Sequence, residues 1–236
     1  MTTIAIFGGT GYAGGAIASE AVGRGHTVIS VTRSGAPAGH PGRPGEDTRP
    51  ERPGRPGRPG APGVDFRQGN VHDATLADQV AAEADVIVVS IRYSPDSDGA
   101  RLITAFPALT GACAAHGTRL GVVGGAASLL VSEGGPRLID TPEFPDAFKT
   151  EAGSAAAVLD ELRADSTGVD WFFVSPAREF GAHSPGEPLG RYRVGDDVLL
   201  TDESGRSHIS GYDFALAIVD EIENSKHHRT RFTVGY

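Results

Sequence analysis

Seven residues near the start of the chain, Gly8-Gly9-Thr10-Gly11-Tyr12-Ala13-Gly14, have the types and spacing to cradle an anion. Glycine at 8 permits a tight turn, glycine at 11 lets backbone approach a diphosphate, and glycine at 14 lets a helix pack close to a strand. A helix starting there adds its dipole and its unpaired N–H groups. In a chain with 33 glycines the spacing gains its weight from its setting. The apolar run 4–7 reads as a buried strand just before the turn, and 15–22 has the small-apolar periodicity of a helix just after it. Gly8, Thr10, Gly11, Tyr12 and Gly14 are therefore candidates for nucleotide binding. The plain alternative is a structural glycine turn.

A second candidate group follows the second strand, read at 26–31 after Gly25 ends the helix. An NAD-preferring protein of this type carries an acid there for the ribose hydroxyls. This chain has Thr32-Arg33-Ser34 instead. A guanidinium beside a hydroxyl suits a 2′-phosphate, so Arg33 and Ser34 point to NADP(H) over NAD(H). Without a cofactor, Arg33 would be a solvated arginine at a loop edge. His183 and His208 titrate near neutral pH, but the first lies in a Gly/Pro-rich loop and the second beside a turn, so both are expected at the surface. His227-His228 is expected there too. No grouping has metal-ligand spacing, and no Gly-x-Ser-x-Gly elbow is present.

The elements that must position these residues alternate. Strands read at 64–68, 85–90, 119–123 and 169–174 are separated by helices at 74–84, 99–115 (kinked near Pro107) and 151–164. That order implies an α/β fold, a doubly wound parallel sheet of one domain over 1–236 with a small C-terminal portion on the substrate side. The C-terminal portion reads as a hairpin at 190–200 turning at 195–197, a helix capped by Ser210 with Asp213 at N3, and a closing strand at 231–234. In such sheets the ligand lies at the carboxyl ends of the strands. The walls of one site are then the Gly8 loop, Arg33, Ser90 to Tyr93, the 124–128 loop with Gly124, and Ser175 to Arg178. Asn70, Val71 and Asp73 match the segment that lines adenine in related folds; Asp73 would serve equally as a helix N-cap.

Composition closes off other classes. A net charge of −9 provides no basic excess for nucleic acid. No stretch has the apolar length of a membrane span, and the N-terminus begins on a strand rather than a leader pattern. The single cysteine, Cys113, rules out an internal disulfide and fits the cytoplasm. Residues 36–63 repeat a Pro-Gly-Arg triplet with no apolar face, which reads as a disordered insertion.

Phe7 to Gly14, Val122-Val123-Gly124-Gly125-Ala126-Ala127-Ser128-Leu129 and Asp170-Trp171-Phe172-Phe173-Val174-Ser175-Pro176-Ala177 resemble the atypical short-chain dehydrogenases. Within them the likeness is to the NADH-flavin reductase family, related to biliverdin-IXβ/flavin reductase and to NmrA-like proteins. Its most specific pieces are Gly186-Glu187-Pro188-Leu189-Gly190-Arg191-Tyr192-Arg193 and Ser207-His208-Ile209-Ser210-Gly211-Tyr212-Asp213-Phe214-Ala215. Hydride transfer to a small conjugated acceptor (a flavin, quinone or related carbonyl compound) by a monomer or homodimer is the leading reading; the resemblance itself implies a Rossmann fold and a nicotinamide cofactor and leaves the substrate open. It places a carbonyl-binding serine at Ser128. It also departs from the family pattern of Tyr followed four residues later by Lys. The only lysines, Lys149 and Lys226, follow Pro145 and Ile222 at that distance. Ser128 is thus the expected catalytic residue, with Lys149 at most a supporting charge. Two other readings stand beside the reductase: an NmrA-like nicotinamide sensor without turnover, and an isomerase or epimerase that retains its nucleotide.

Overall fold

The computed structural model describes residues 1–36, 63–94 and 101–236. The insertion read at 36–63 lies, but for its two end residues, outside the described residues. The elements run β1 (Thr3–Phe7), α1 (Tyr12–Gly23), β2 (Thr27–Thr32), β3 (Val64–Gln68), α2 (Ala74–Glu83), β4 (Val86–Val89), α3 (Phe106–His116), β5 (Arg119–Val123), α4 (Asp146–Ala164), β6 (Trp171–Pro176), β7 (Arg193–Gly195), α5 (Gly211–Asn224) and β8 (Thr230–Gly235). They build one eight-stranded sheet in the order β3-β2-β1-β4-β5-β6-β8-β7. Every described pairing is parallel except β7 with β8. This is the doubly wound α/β fold expected from the alternation of strands and helices.

Side chains that alternate along each strand divide between two cores. Ala5, Phe7, Ile29, Val31, Val89 and Phe173 face α2, α3 and α4. Ile4, Ile6, Val28, Val88, Phe172 and Phe232 face α1 and α5. Because both faces are covered, the central strands are apolar throughout: β4 is Val-Ile-Val-Val and buried at every position. Each fully buried Phe or Ile contributes about 1.5–3 kcal/mol of burial. With both faces of the sheet so covered, a ligand can approach it at the strand ends.

Three local expectations are corrected. Pro107 does not kink a helix. It sits in the first turn of α3, where its missing N–H costs nothing, and a 3-10 turn at Leu102–Ala105 precedes it. The run 190–200 is not a hairpin: Arg193–Gly195 pairs with β8 from the far end of the chain, and Val198 bridges to Leu130 instead. α4 begins five residues before the expected start, at Asp146.

Candidate functional site

The glycine turn is held by backbone. Gly8 has φ +90°, and a Cβ there would stand 2.2 Å from the Ser90 carbonyl oxygen. A Cβ on Gly14 would lie 2.3 Å from the Gly8 carbonyl oxygen. The Gly8 N–H donates to Val31 at 2.9 Å and the Ser90 N–H to Phe7 at 2.8 Å, so β2, β1 and β4 converge on the turn. α1 then opens at Tyr12 with Gly11 as N-cap, with no side-chain cap and no acidic residue in its first turn. Thr10 and Gly11 are exposed at the tip. A helix N-terminus with no side chain of its own over it, reached through bare backbone, fits a diphosphate.

Around that start the other predicted residues take the following places. Arg33 and Ser34 are exposed just past β2. Their loop is fixed from below: Gln68 Nε2 donates to the Arg33 carbonyl at 3.0 Å, and Thr32 Oγ1 to the Gly35 carbonyl at 2.7 Å. Among the described residues the Arg33 guanidinium has no carboxylate within ion-pair distance. Asn70 Oδ1 accepts from the His72 N–H at 3.2 Å, and Asp73 caps α2 by accepting from Thr75 and Leu76 at 3.0 and 3.1 Å. Val71 is buried. Asn70 Oδ1 and Asp73 Oδ1 are thus engaged in the turn, while the Asn70 Nδ2 donors remain beside the backbone of this segment.

Tyr12 is bound inward. Its hydroxyl donates to the Pro185 carbonyl and accepts from the Gly211 N–H, each at 3.0 Å. Burial raises its pKa, partly offset by the Gly211 hydrogen bond. Asp213, at N3 of α5, accepts from the Leu189 and Gly190 N–H groups at 2.7 and 3.0 Å and from the Tyr236 hydroxyl. Ser210 caps the helix as expected by accepting from the Asp213 N–H at 3.0 Å. The Ser210 N–H, however, goes to Tyr236 rather than back to Asp213. The motif pieces at 186–193 and 207–215 thus form a knot that ties the starts of α1 and α5 to one loop.

At the ends of β5 and β6, Gly124 donates its N–H to Val174 at 2.9 Å. Ser128, four residues on, is half-buried, and its Oγ accepts from Arg231 Nη1 at 2.8 Å. Arg231 is buried and also grips Asp197 through Nε at 2.7 Å and through Nη2. Sequence reasoning did not find this pair; a charged residue at the head of the apolar closing strand was the available signal. Lys149 lies exposed in the first turns of α4, 2.6 Å from Asp146. Tyr93, expected in a site wall, is buried, and its hydroxyl donates to the Val123 carbonyl at 2.7 Å. Burial pushes that phenol far above its ordinary range.

The histidines divide. His183 is exposed as expected. His208 is half-buried rather than fully exposed: it packs edge-on against Tyr236 with 5.0 Å between ring centroids. His227 stacks on Phe232 and meets the buried Glu221 at 2.6 Å, where Arg119 also pairs at 2.6 Å. A strongly buried carboxylate needs such partners, and the spacing of polar residues gave no sign of it. Among the described residues no group of three His, Cys, Asp or Glu side chains could hold a metal. No described helix is long and apolar enough to cross a membrane.

A doubly wound sheet with a glycine turn opening its first helix defines a Rossmann-fold protein. No protein-family model matches the chain. The uncharacterized protein YwnB of Bacillus subtilis is 31% identical over 232 residues, 98% of this chain and 97% of its own. A Streptococcus pneumoniae structure, provisionally named a NADH-flavin reductase, superposes with TM-score 0.74 at 31% identity over 100% of this chain and 99% of its own. One from Bacteroides thetaiotaomicron, provisionally named an epimerase, gives TM-score 0.78 at 31% identity, covering 100% and 97%. The chain belongs with these proteins to the atypical short-chain dehydrogenase/reductase family, in its NADH-flavin reductase and NmrA-like branch.

Proposed function

We propose that this protein is an NADPH-dependent reductase that delivers a hydride to a small conjugated acceptor such as a flavin, a quinone or a related carbonyl compound. The observation that carries the reading is the uncapped, glycine-built start of α1 with Arg33 and Ser34 beside it at the end of β2. The relative named as a NADH-flavin reductase, alike over its whole length, supports the class of reaction. When bound, the nicotinamide supplies the hydride. Everything else falls to the chain's own residues: Gly8 to Gly14 bind the diphosphate, Arg33 and Ser34 the 2′-phosphate, and Ser128 orients the acceptor.

Among the described residues, neither tyrosine near the glycine turn and the strand ends is placed as a conventional proton donor. Tyr93 is sealed against Val123, Tyr12 is committed to Gly211 and Pro185, and no tyrosine stands four residues before a lysine. An acceptor whose reduced form takes its proton from water suits this site; an alcohol–ketone pair does not. Arg231 donates to Ser128, which leaves the serine's own O–H free to donate to an acceptor oxygen. Lys149, paired to Asp146 and exposed, contributes at most charge.

The test is NADPH oxidation with a panel of flavins and quinones, beside a cofactor-binding titration. Steady oxidation supports the reductase. Tight binding without turnover replaces it by the sensor. Isomerised product without net cofactor use replaces it by the epimerase, the activity in the provisional name of the Bacteroides relative.

A further inference from the structure

A cavity of about 270 Å³ opens beyond the ends of β5 and β6, lined by Val131, Leu138, Thr141, Glu143, Phe144 and Arg178. We propose that this is the acceptor subsite and that it selects a one- or two-ring conjugated molecule carrying a single carboxylate, with Arg178 as the residue that reads the charge. The inference rests on the reductase reading, because it assigns the substrate of that same site.

Place, shape and charge each support it. Val131 stands three residues after Ser128, and Arg178 two residues after the end of β6, so the cavity adjoins the loop proposed to hold the reacting group. Val131, Leu138 and Phe144 give it apolar walls, and Val131, 39% exposed, is an apolar side chain left open at the surface. The volume falls just below the range of about 300–1,000 Å³ typical of pockets for drug-sized ligands, which limits the occupant to a compact ring system.

The charge is specific. Glu179, next in the chain, is taken by Arg206, whose Nε and Nη2 lie 2.9 and 2.7 Å from Oε2. Arg178 has no such partner among the described residues, while its backbone N–H is anchored on Ser207 Oγ at 3.0 Å. A guanidinium fixed at its base and unpaired at its tip matches a carboxylate fork to fork. Glu143 opposes any anion from the same lining and has no ion-pair partner among the described residues. Arg178 matches one carboxylate, and with Glu143 in the same lining no second cation is present there among the described residues to match the further charge of a phosphate dianion. Thr141 Oγ1 donates to the Leu138 carbonyl at 2.8 Å, so its remaining capacity toward a ligand is as an acceptor.

The experiment uses calorimetry with two non-reducible two-ring probes, naphthalene-2-carboxylate and naphthalene-2-carboxamide. The wild type is expected to bind the carboxylate at least about tenfold tighter. Arg178→Gln should abolish that ratio and leave the carboxamide unchanged, Arg178→Lys should retain part of it, and Glu143→Gln should enlarge it. Equal binding of the probes, a ratio that survives Arg178→Gln, or no binding of either at millimolar concentration overturns the proposal. Calorimetry needs no turnover, so a protein that binds nicotinamide without reducing anything still shows the ratio. A working NADPH oxidase that lacks the ratio would keep the reductase reading and lose this one.

Discussion

The two halves of the proposed site are built in opposite ways. The cofactor half is local: Gly8, Gly11, Gly14 and Arg33 fall within 26 consecutive residues, and the closest approaches at Gly8 and Gly14 are to backbone. The acceptor half is assembled from distant segments by side chains. Ser128 meets Arg231 across 103 positions, Arg231 meets Asp197, and the cavity joins 131–144 to Arg178. A site made of backbone tolerates almost no added atom at its key glycines, whereas a site made of side chains should lose function in graded steps. The difference also separates a half that the fold class demands from a half free to differ between relatives.

The largest effect is expected at Gly8. Gly8→Ala places a methyl 2.2 Å from a carbonyl oxygen at φ +90°. The backbone strain alone costs about 1–3 kcal/mol, and the clash with Ser90 adds to it. Denaturant unfolding should show that loss, and an NADPH titration a weakening of about a hundredfold or more. A variant of full stability and affinity would end the claim that backbone shapes this half.

On the acceptor side, Ser128→Ala should lower kcat/KM by about tenfold to a hundredfold, the scale of one hydrogen bond in the transition state. The variant should still bind NADPH as the wild type does, which separates the halves. Arg33→Ala should act the other way round. It should remove most of the preference for NADPH over NADH, about a tenfold to hundredfold change, with little effect on NADH. Equal affinities for the two cofactors in the wild type would contradict the 2′-phosphate role. Lys149→Ala should change the rate least, and a secondary-alcohol dehydrogenase activity abolished by that substitution would restore a conventional proton relay.

What was readable in the sequence follows the same division. The strand and helix order could be read because both faces of the sheet are covered and leave continuous apolar runs, as in Val86–Val89. The glycine turn could be read because so tight a turn needs the absence of side chains at Gly8 and Gly14. Pairings made at a distance could not. Arg193–Gly195 looked like one arm of a hairpin, since nothing local says that its partner is β8. His227 looked like a surface residue because its partners, Glu221 and Phe232, come together only through the fold. Ser128 was placed by resemblance, but its dependence on Arg231 had no local signal.

A control region lies outside both halves. Glu221 is desolvated by burial, which alone would raise its pKa. The Arg119 pair and the His227 hydrogen bonds outweigh that and hold it below its ordinary value of 4.5. Its folded-state pKa is therefore depressed, so its contribution to stability is complete above about pH 4.5 and is lost as pH falls through the folded value. Glu221→Gln should flatten this acid limb of the stability profile and leave the NADPH and acceptor constants almost unchanged. An unaltered acid limb would show that the Arg119–Glu221–His227 cluster does not set it.

The central claim, direct hydride delivery from a nicotinamide held by the glycine turn, is tested by the primary isotope effect. NADPH oxidation with the best quinone of the panel would be followed under single-turnover conditions, with NADPH carrying deuterium at one or the other C4 position. The account expects a normal primary effect for one stereoisomer only, kept in Ser128→Ala at a lower rate. No isotope effect from either stereoisomer, or binding with no oxidation at all, would contradict it.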